Sequence, residues 1–344
     1  MTGPRPVSRR VALGGLATVV TAVLAFASAC GGSGGTSSGG SAARKATVLL
    51  DWDPNPDHAA LYVAQDSGYY TAKGLNVSLQ PPSDPSDPVK LVSTGKVDLG
   101  ISYEPETVIA AADGLDVVSV AALIPTALDS IVAKGSEHIT TPADLAGKTL
   151  GTSGLATDKA FLDAIMSKYR MKAGSVKQVN ISQDLLSAMI TGNVDATLGS
   201  YRNVEGVVMK DRGLNPTIIP VTEAGVPNYD ELVVVANRSR LRTDPAYQRL
   251  VRDFLAATAR GNAQAVADVP GLTTDMKKVA KGYDPADLPK IISATVPLLR
   301  SPAGFGQMNI ADWQSFASWM RTEKLIGKSV SGADVATNAY LPAS

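Results

Sequence analysis

Apolar residues fall into short blocks along this chain, and the blocks alternate between a period of two and a period near 3.6. Ala46 to Leu50 (ATVLL) has strand character and runs into the turn-rich stretch Asp51-Trp-Asp-Pro-Asn-Pro-Asp57. Ala59 to Gly68 reads as a helix closed by a glycine, whose freedom at positive φ suits a helix end. Leu75 to Leu79 alternates like a strand, Pro88 to Thr94 reads as a short helix, and Val97 to Ile101 is a further strand. Strands alternating with helices predict a mostly parallel sheet covered by helices. The grammar then repeats. Leu145 to Gly151 leads from a helix end into a strand, Thr157 to Tyr169 is a helix, Val176 to Ile181 a strand, Leu185 to Thr191 a helix, and Val194 to Leu198 a strand. Gly95-Lys-Val-Asp-Leu-Gly100 is echoed by Gly192-Asn-Val-Asp-Ala-Thr197. The expectation is an α/β protein of two related lobes. Lobe I takes residues 45–135 and 232–344 and lobe II takes 136–231. Val117 to Ala122 and Ser130 to Ala133 can carry the chain across, and Glu231 to Asn237 back. Leu250 to Val266 and Ile310 to Glu323 have the apolar spacing of helices and would complete the outer face of lobe I. A ligand would then sit in the cleft between lobes, where loops leave the strand ends.

The first forty or so residues follow a different grammar. Arg5, Arg9 and Arg10 precede the uncharged apolar run Val11 to Phe26, and Ala27-Ser28-Ala29-Cys30 is a small-residue box ending on the only cysteine. A basic start, a short apolar run and a small-residue box make an export signal, and the run is short for a membrane span of about 20 residues. Residues 1–30 are therefore expected to be a lipoprotein signal, with Cys30 as the lipidated N-terminus. Ala27 stands where such a box usually carries Leu, and an ordinary signal cleaved nearby is the alternative. Ser8-Arg9-Arg10 faintly resembles a twin-arginine signal, but Ala12 replaces the usual bulky residue, so the export route stays open. Residues 31–44 are nearly all Gly, Ser, Thr and Ala up to Ala43; such a stretch cannot bury enough apolar surface to order itself and reads as a flexible tether.

Charge and cysteine content narrow the function classes. Lys and Arg number 32 and Asp and Glu 32, so there is no basic excess of the kind nucleic-acid binding needs. A single cysteine rules out an intramolecular disulfide and a thiol metal site, and His58 and His138 are the only histidines, too few for a convincing zinc site. The chain has no nucleophile elbow and no phosphate-binding loop. The expectation is binding without chemistry, with no cofactor and no metal.

Longer motifs carry a resemblance. Leu50-Asp-Trp-Asp-Pro-Asn-Pro-Asp-His-Ala-Ala-Leu-Tyr-Val-Ala64 with Gly68-Tyr-Tyr, then Val89 to Tyr103, Leu145 to Gly151, Ser200-Tyr-Arg-Asn-Val-Glu205 and Gly225-Val-Pro-Asn-Tyr-Asp-Glu-Leu232 together resemble the thiamine-pyrimidine-synthase-like family. The likeness covers roughly the first two-thirds of the body and is loose beyond it. It implies a two-lobed periplasmic-binding-protein fold of type II. The family has an importer-receptor branch for pyrimidine precursors of thiamine, and a cytosolic synthase branch that consumes its own histidine and a pyridoxal phosphate. Where the synthase places its lysine and histidine, this chain has Ser102 and Glu106, and a Schiff base needs an amine. The body also lacks the synthase's cysteine cluster. With the export signal and Cys30, the resemblance leads to the expectation of an extracytoplasmic, lipid-anchored, monomeric receptor on the outer face of a bacterial cytoplasmic membrane. It would pass a 4-aminopyrimidine to an ABC permease and its ATPase. A receptor for an alkanesulfonate, nitrate or riboflavin-like ligand is the alternative, and the pyridoxal-phosphate synthase a remote one.

A 4-aminopyrimidine offers a flat face, read by aromatic stacking, and an amino group beside a ring nitrogen, read by carboxylates. Trp52 is the first candidate for a stacking wall and Tyr103 the second, each just after a strand end. Asn55 reads as a ligand contact or a turn residue between prolines, His58 as a contact or a helix cap, and Tyr62 as a contact or core. Glu104 can read the ligand edge or stay solvated, and Glu106 is a helix-start carboxylate. Ser153 and Gly154 can offer N–H groups between a strand and a helix. Tyr201, Asn203 and Glu205 follow another strand, with Glu205 the candidate edge-reading carboxylate; Arg202 beside them can pair with an anion or face solvent. Tyr229 and Glu231 sit where the chain returns to lobe I, as ligand contacts or as hinge structure.

Overall fold

The computed structural model describes residues 43–343; the expected signal, Cys30 and nearly all of the expected tether lie outside them. Among the described residues, ten strands form two five-stranded sheets. In chain order they are β1 (Arg44–Leu49), β2 (Leu75–Gln80), β3 (Leu99–Ser102), β4 (Val117–Ile124), β5 (Asp129–Ala133), β6 (Thr149–Thr152), β7 (Lys177–Asn180), β8 (Ala196–Tyr201), β9 (Thr217–Pro220) and β10 (Leu232–Asn237). Arg44 belongs to β1, so the folded body starts earlier than the expected end of the tether at residue 44.

The sheets share one plan. The first runs β2-β1-β3-β10-β4 and the second β7-β6-β8-β5-β9. In each, the second strand pairs in parallel with both neighbours and the remaining partners are antiparallel. The repeated Val-Asp of the sequence has a structural role in both. Asp98 Oδ2 accepts from Thr47 N at 3.0 Å, and Asp195 Oδ2 accepts from Thr149 N at 2.7 Å. The backbone of each Asp donates to the carbonyl of the same threonine. Each aspartate thus closes the start of a parallel pair, leaving no unpaired strand N–H there.

β5 corrects the expected boundary. It pairs with β8 and β9, so residues 129–133 belong to the second lobe and the chain crosses at 125–128 rather than at 135. The strand is short and entirely buried, and no periodicity distinguishes which sheet such a strand joins. The return falls between β9 and β10. The helix Pro245–Ala267 packs along the helix Ala59–Asp66 in the first lobe. They come close at Gly261, where a Cβ would lie 2.2 Å from the carbonyl oxygen of Ala60. The helix Ile310–Thr322 buries Trp313, Phe316, Ala317 and Met320 in a core that runs from the first lobe into the second. Among the described residues, no helix is long and apolar enough to cross a membrane.

Candidate functional site

The carboxyl ends of the parallel strands from both sheets meet at one cavity. Asp51, Trp52 and Asn55 reach it from the loop after β1, and Tyr103 and Pro105 from the segment after β3. Ser153, Thr157 and Asp158 arrive after β6, and Tyr201, Val204 and Glu205 at and beyond the end of β8. Asp129 enters at the first residue of β5, and Tyr229 and Glu231 from the return to β10. Strand ends cluster function because the sheet holds them rigidly while the loops beyond remain free to vary.

Aromatic rings make much of the wall. Trp52, Tyr103, Phe161, Tyr201, Tyr229 and Tyr283 all line it; Phe161 and Tyr229 lie with ring centres 5.6 Å apart, tilted by 46°. The charged component is acidic. Asp51, Asp129, Asp158, Glu205 and Glu231 line the cavity, and among the described residues no Lys, Arg or His shares the lining with them.

Backbone and hydroxyl donors hold these carboxylates in place. Glu205 Oε2 accepts from Tyr201 N at 2.8 Å. Glu231 Oε2 accepts from Leu128 N at 2.5 Å and Asp129 N at 3.0 Å, and its Oε1 from Tyr201 Oη at 3.1 Å. Asp129 Oδ1 accepts from Gly199 N at 2.8 Å. Asp158 Oδ2 accepts from Ser153 Oγ, Gly154 N and Leu155 N at 2.7–2.9 Å, closing the N-terminus of the helix Ala156–Lys168. Asp51 Oδ2 accepts from Tyr103 Oη at 2.9 Å. Burial pushes Asp158, Glu205 and Glu231 each up to about 7. Burial, with Glu231 and Asp158 close by, holds Asp129 well above the usual carboxylate range. Burial, then the Asp51 carboxylate, raises the Tyr103 phenol. Such a cavity disfavours any added negative charge and stabilises a donor-rich or positively charged guest.

Several candidate residues stand elsewhere. His58 is fully buried behind the wall: its Nδ1 accepts from Asn55 N at 3.2 Å, so the proton is on Nε2, which donates to Asp51 Oδ1 at 2.7 Å. It therefore orients Asp51, a wall residue, rather than reaching the cavity itself. Tyr62 is packed in the first lobe's core. Glu104 is buried on the far side of its helix, accepting from Asp230 N at 2.8 Å. Gly154 offers its N–H to Asp158 instead of to the cavity. Arg202 donates to the Ala127 carbonyl, and Ser102 is buried within β3.

Asn203 and Glu106 join the lobes instead. Asn203 Nδ2 donates to Asp57 Oδ1 at 2.7 Å and to Thr295 Oγ1 at 2.9 Å across the cleft. Glu106 Oε1 accepts from Thr157 N at 2.9 Å and Thr157 Oγ1 at 2.8 Å.

Sequence reasoning missed Asp51, Phe161, Asp129, Asp158 and Tyr283. Asp51 adjoins Trp52 at the same strand end, and that neighbourhood was a usable signal. Asp158 sits three residues beyond Leu155, the helix N-cap, where a carboxylate reads as a cap. Asp129 begins an antiparallel strand, so a rule that looks at strand C-termini passes it by.

The family described as NMT1/THI5 like matches residues 55–270. The chain belongs to that family. One relative within reach of the family's sequence span is the formylaminopyrimidine-binding protein of Halalkalibacterium halodurans, 28% identical over 307 residues, covering 87% of this chain and 91% of that protein. Another is the 4-amino-5-hydroxymethyl-2-methylpyrimidine phosphate synthase THI13 of Saccharomyces cerevisiae, 33% identical over 236 residues, covering 65% of this chain and 68% of that protein. In fold, the NMT1/THI5-like chain is similar to the alkanesulfonate-binding protein SsuA from Xanthomonas axonopodis pv. citri. The TM-score is 0.66 at 15% identity, covering 85% of this chain and 98% of that one. The architecture is the two-lobed periplasmic-binding-protein fold, as the sequence motifs implied.

Proposed function

We propose that this chain is the extracytoplasmic substrate-binding lipoprotein of an ABC importer, and that it binds a 4-aminopyrimidine precursor of thiamine without converting it. The observation that carries the reading is the cavity itself: aromatic walls, five carboxylates and, among the described residues, no basic side chain in the lining. A flat heterocycle stacks between Trp52 and Tyr103. Its amino group donates to Glu205, and its ring nitrogen, protonated, pairs with the same carboxylate. Asn55, Ser153, Tyr201, Tyr229 and Glu231 close the remaining wall. The two relatives, one named as binding a formylaminopyrimidine and one as making a hydroxymethylpyrimidine phosphate, share an aminopyrimidine as cargo or product.

The alternatives fare worse on the same wall. A sulfonate or nitrate would meet carboxylates where it needs cations. A pyridoxal phosphate would find no lysine in the lining, with Ser102 buried and Glu106 already engaged by Thr157. The receptor works by the lobes closing over ligand, with Asn203 and Glu106 joining them, and the closed form docking on a permease and its ATPase. Cys30 anchors the chain, as a monomer, to the outer face of the cytoplasmic membrane.

Calorimetry with a panel of 4-aminopyrimidines, thiamine, riboflavin, taurine and nitrate tests the assignment. Tight one-to-one binding of an aminopyrimidine, lost in Trp52→Ala and weakened in Glu205→Gln, is expected. Binding of taurine or nitrate alone would overturn the ligand class, and Glu205→Gln at full affinity would overturn the role of that residue.

A further inference from the structure

A second cavity, of about 770 Å³, lies behind the first, and among the described residues Tyr229 alone lines both. Small-molecule sites run from roughly 300 to 1,000 Å³. The segments on which the chain passes between lobes bound it, with Pro125 on the way out and Pro227 to Asp230 on the way back, and the helix Ile310–Thr322 closes one side. Asn228 ties those segments together: its Oδ1 accepts from Ala127 N at 3.1 Å and from Thr126 Oγ1 at 3.2 Å. Three carboxyl groups line the cavity and, among the described residues, no Lys, Arg or His. They grade from rim to floor: Asp312 is exposed, Asp230 half-buried and Glu104 2% exposed. A chain of bonds holds the inner two. Asp230 Oδ2 accepts from Trp313 Nε1 at 2.7 Å, and Asp230 N donates to Glu104 Oε2 at 2.8 Å. Glu104 Oε1 is buried and has no hydrogen-bond partner among the described residues. A buried oxygen left so is costly unless a guest supplies the partner.

Among the described residues, no group of three or more His, Cys, Asp or Glu side chains is placed to hold a metal ion, which leaves an organic cation. We propose that this cavity is a second binding site, for a small molecule with a guanidinium head, and that Glu104 is the residue that selects its charge. A guanidinium carries five N–H donors in a planar fork, so it can serve Glu104 Oε1 and still pair with Asp230 or Asp312. Its weakly hydrated plane suits a rim that includes Pro125, Pro227 and Pro302, where a strongly hydrated ammonium does not. An anion would meet three carboxyl groups and no cation. A neutral amide brings N–H donors but leaves the carboxylate charge uncompensated.

The pH dependence of binding follows. Burial pushes Glu104 up to about 9, and the neighbouring Asp230 and Asp312 carboxylates add to the rise. Burial also raises Asp230, to about 6. The remaining titratable group in the lining is the Tyr229 phenol, raised by burial and by nearby carboxylates. Without a guest, Glu104 therefore carries a proton at neutral pH, and an arriving guanidinium displaces it. The guanidinium itself stays charged throughout this range. Affinity therefore rises with pH until Glu104 is ionised in the free protein as well, near pH 9.

The test is nuclear magnetic resonance on the full chain, purified in detergent, with the indole nitrogens labelled. The chain has three tryptophans. Trp313 lines this cavity, Trp52 lines the ligand cavity and Trp319 lines neither, so the three signals report separate places; Trp52→Phe and Trp319→Phe assign them. Methylguanidinium is titrated, with methylurea as its neutral isostere. At pH 8.5 methylguanidinium is expected to shift the Trp313 signal saturably at about millimolar concentration, with methylurea at least about tenfold weaker. Between pH 6.5 and pH 8.5 the methylguanidinium affinity of the wild-type chain should rise at least about tenfold, a readout that needs no variant to fold. Glu104→Gln keeps the shape and removes the charge, so it should weaken binding at pH 8.5 at least about tenfold and flatten the pH dependence. No shift at Trp313, a shift at Trp52 alone, equal binding of methylurea, or an affinity that does not change with pH would overturn the proposal. So would Glu104→Gln binding as tightly as the wild type.

Discussion

Replacing Asn203 by Ala removes two hydrogen bonds that cross the cleft, from Nδ2 to Asp57 Oδ1 at 2.7 Å and to Thr295 Oγ1 at 2.9 Å. Asp57 is 1% exposed, and its Oδ2 has no hydrogen-bond partner among the described residues. After the substitution its carboxyl group would keep from these partners only the Thr295 hydroxyl, at 3.3 Å. Leaving a buried acceptor short of donors costs about 1–3 kcal/mol. The bonds join one lobe to the other, so the cost is expected to fall on the closed, ligand-holding form. A loss of about 2 kcal/mol is a roughly thirtyfold weaker ligand affinity, carried mainly by faster release. The effect depends on pH. Burial raises Asp57 from 3.8 to about 6, so below pH 6 the group is increasingly neutral and the loss of Asn203 costs less. Calorimetry on Asn203→Ala at pH 5 and pH 8 should give the larger affinity loss at pH 8, with scattering showing fewer closed molecules at equal ligand. Ligand affinity within twofold of wild type at pH 8, accompanied by a lower melting temperature, would refute the reasoning. It would mean that the bonds survive in the open form and stabilise the fold instead.

Further outcomes follow from the same geometry. The unliganded protein should melt higher at pH 5 than at pH 8. Asp158, Glu205 and Glu231 have folded pKa values raised to about 7, so their stabilising contribution is complete below the unfolded values near 4 and is lost as pH rises through 7; a fall of roughly 5 °C by scanning calorimetry is expected, and a flat profile would contradict the burial of these groups. Gly261→Ala should destabilise the chain by about 1–3 kcal/mol in urea unfolding, although alanine is the better helix former. The added methyl would lie 2.2 Å from Ala60 O and 2.7 Å from Ala64 N, so a neutral or stabilising result would show that the two helices can separate without loss. Cys30→Ser should abolish incorporation of labelled fatty acid and release the chain from membranes; retention on washed membranes would remove the lipid anchor from the proposal.

The local order of elements was legible in the sequence because strand and helix leave different periods. The repeated Val-Asp in particular announced two lobes, and Asp98 and Asp195 do the same work in each sheet. Motifs around Trp52, Tyr103 and Glu205 were legible too, since each stands at or near the end of a parallel strand, and parallel strands of one sheet share an end. Contacts between distant segments were not. His58, seven residues from Asp51, could only be recognised as its support once the intervening loop was folded back. The partners of Asn203 are Asp57 and Thr295, 146 and 92 positions away, and no local pattern encodes a pair at that separation. β5 went to the second lobe although its five residues are as fully buried as those of β4; a fully buried strand carries no record of which sheet it joins, because both its faces are covered either way. The sequence by itself determined the elements, the two-fold repetition and the family. Tertiary structure decided which carboxylates share a cavity and which are tied elsewhere, because only the fold sets the distances on which burial, charge and hydrogen bonding depend.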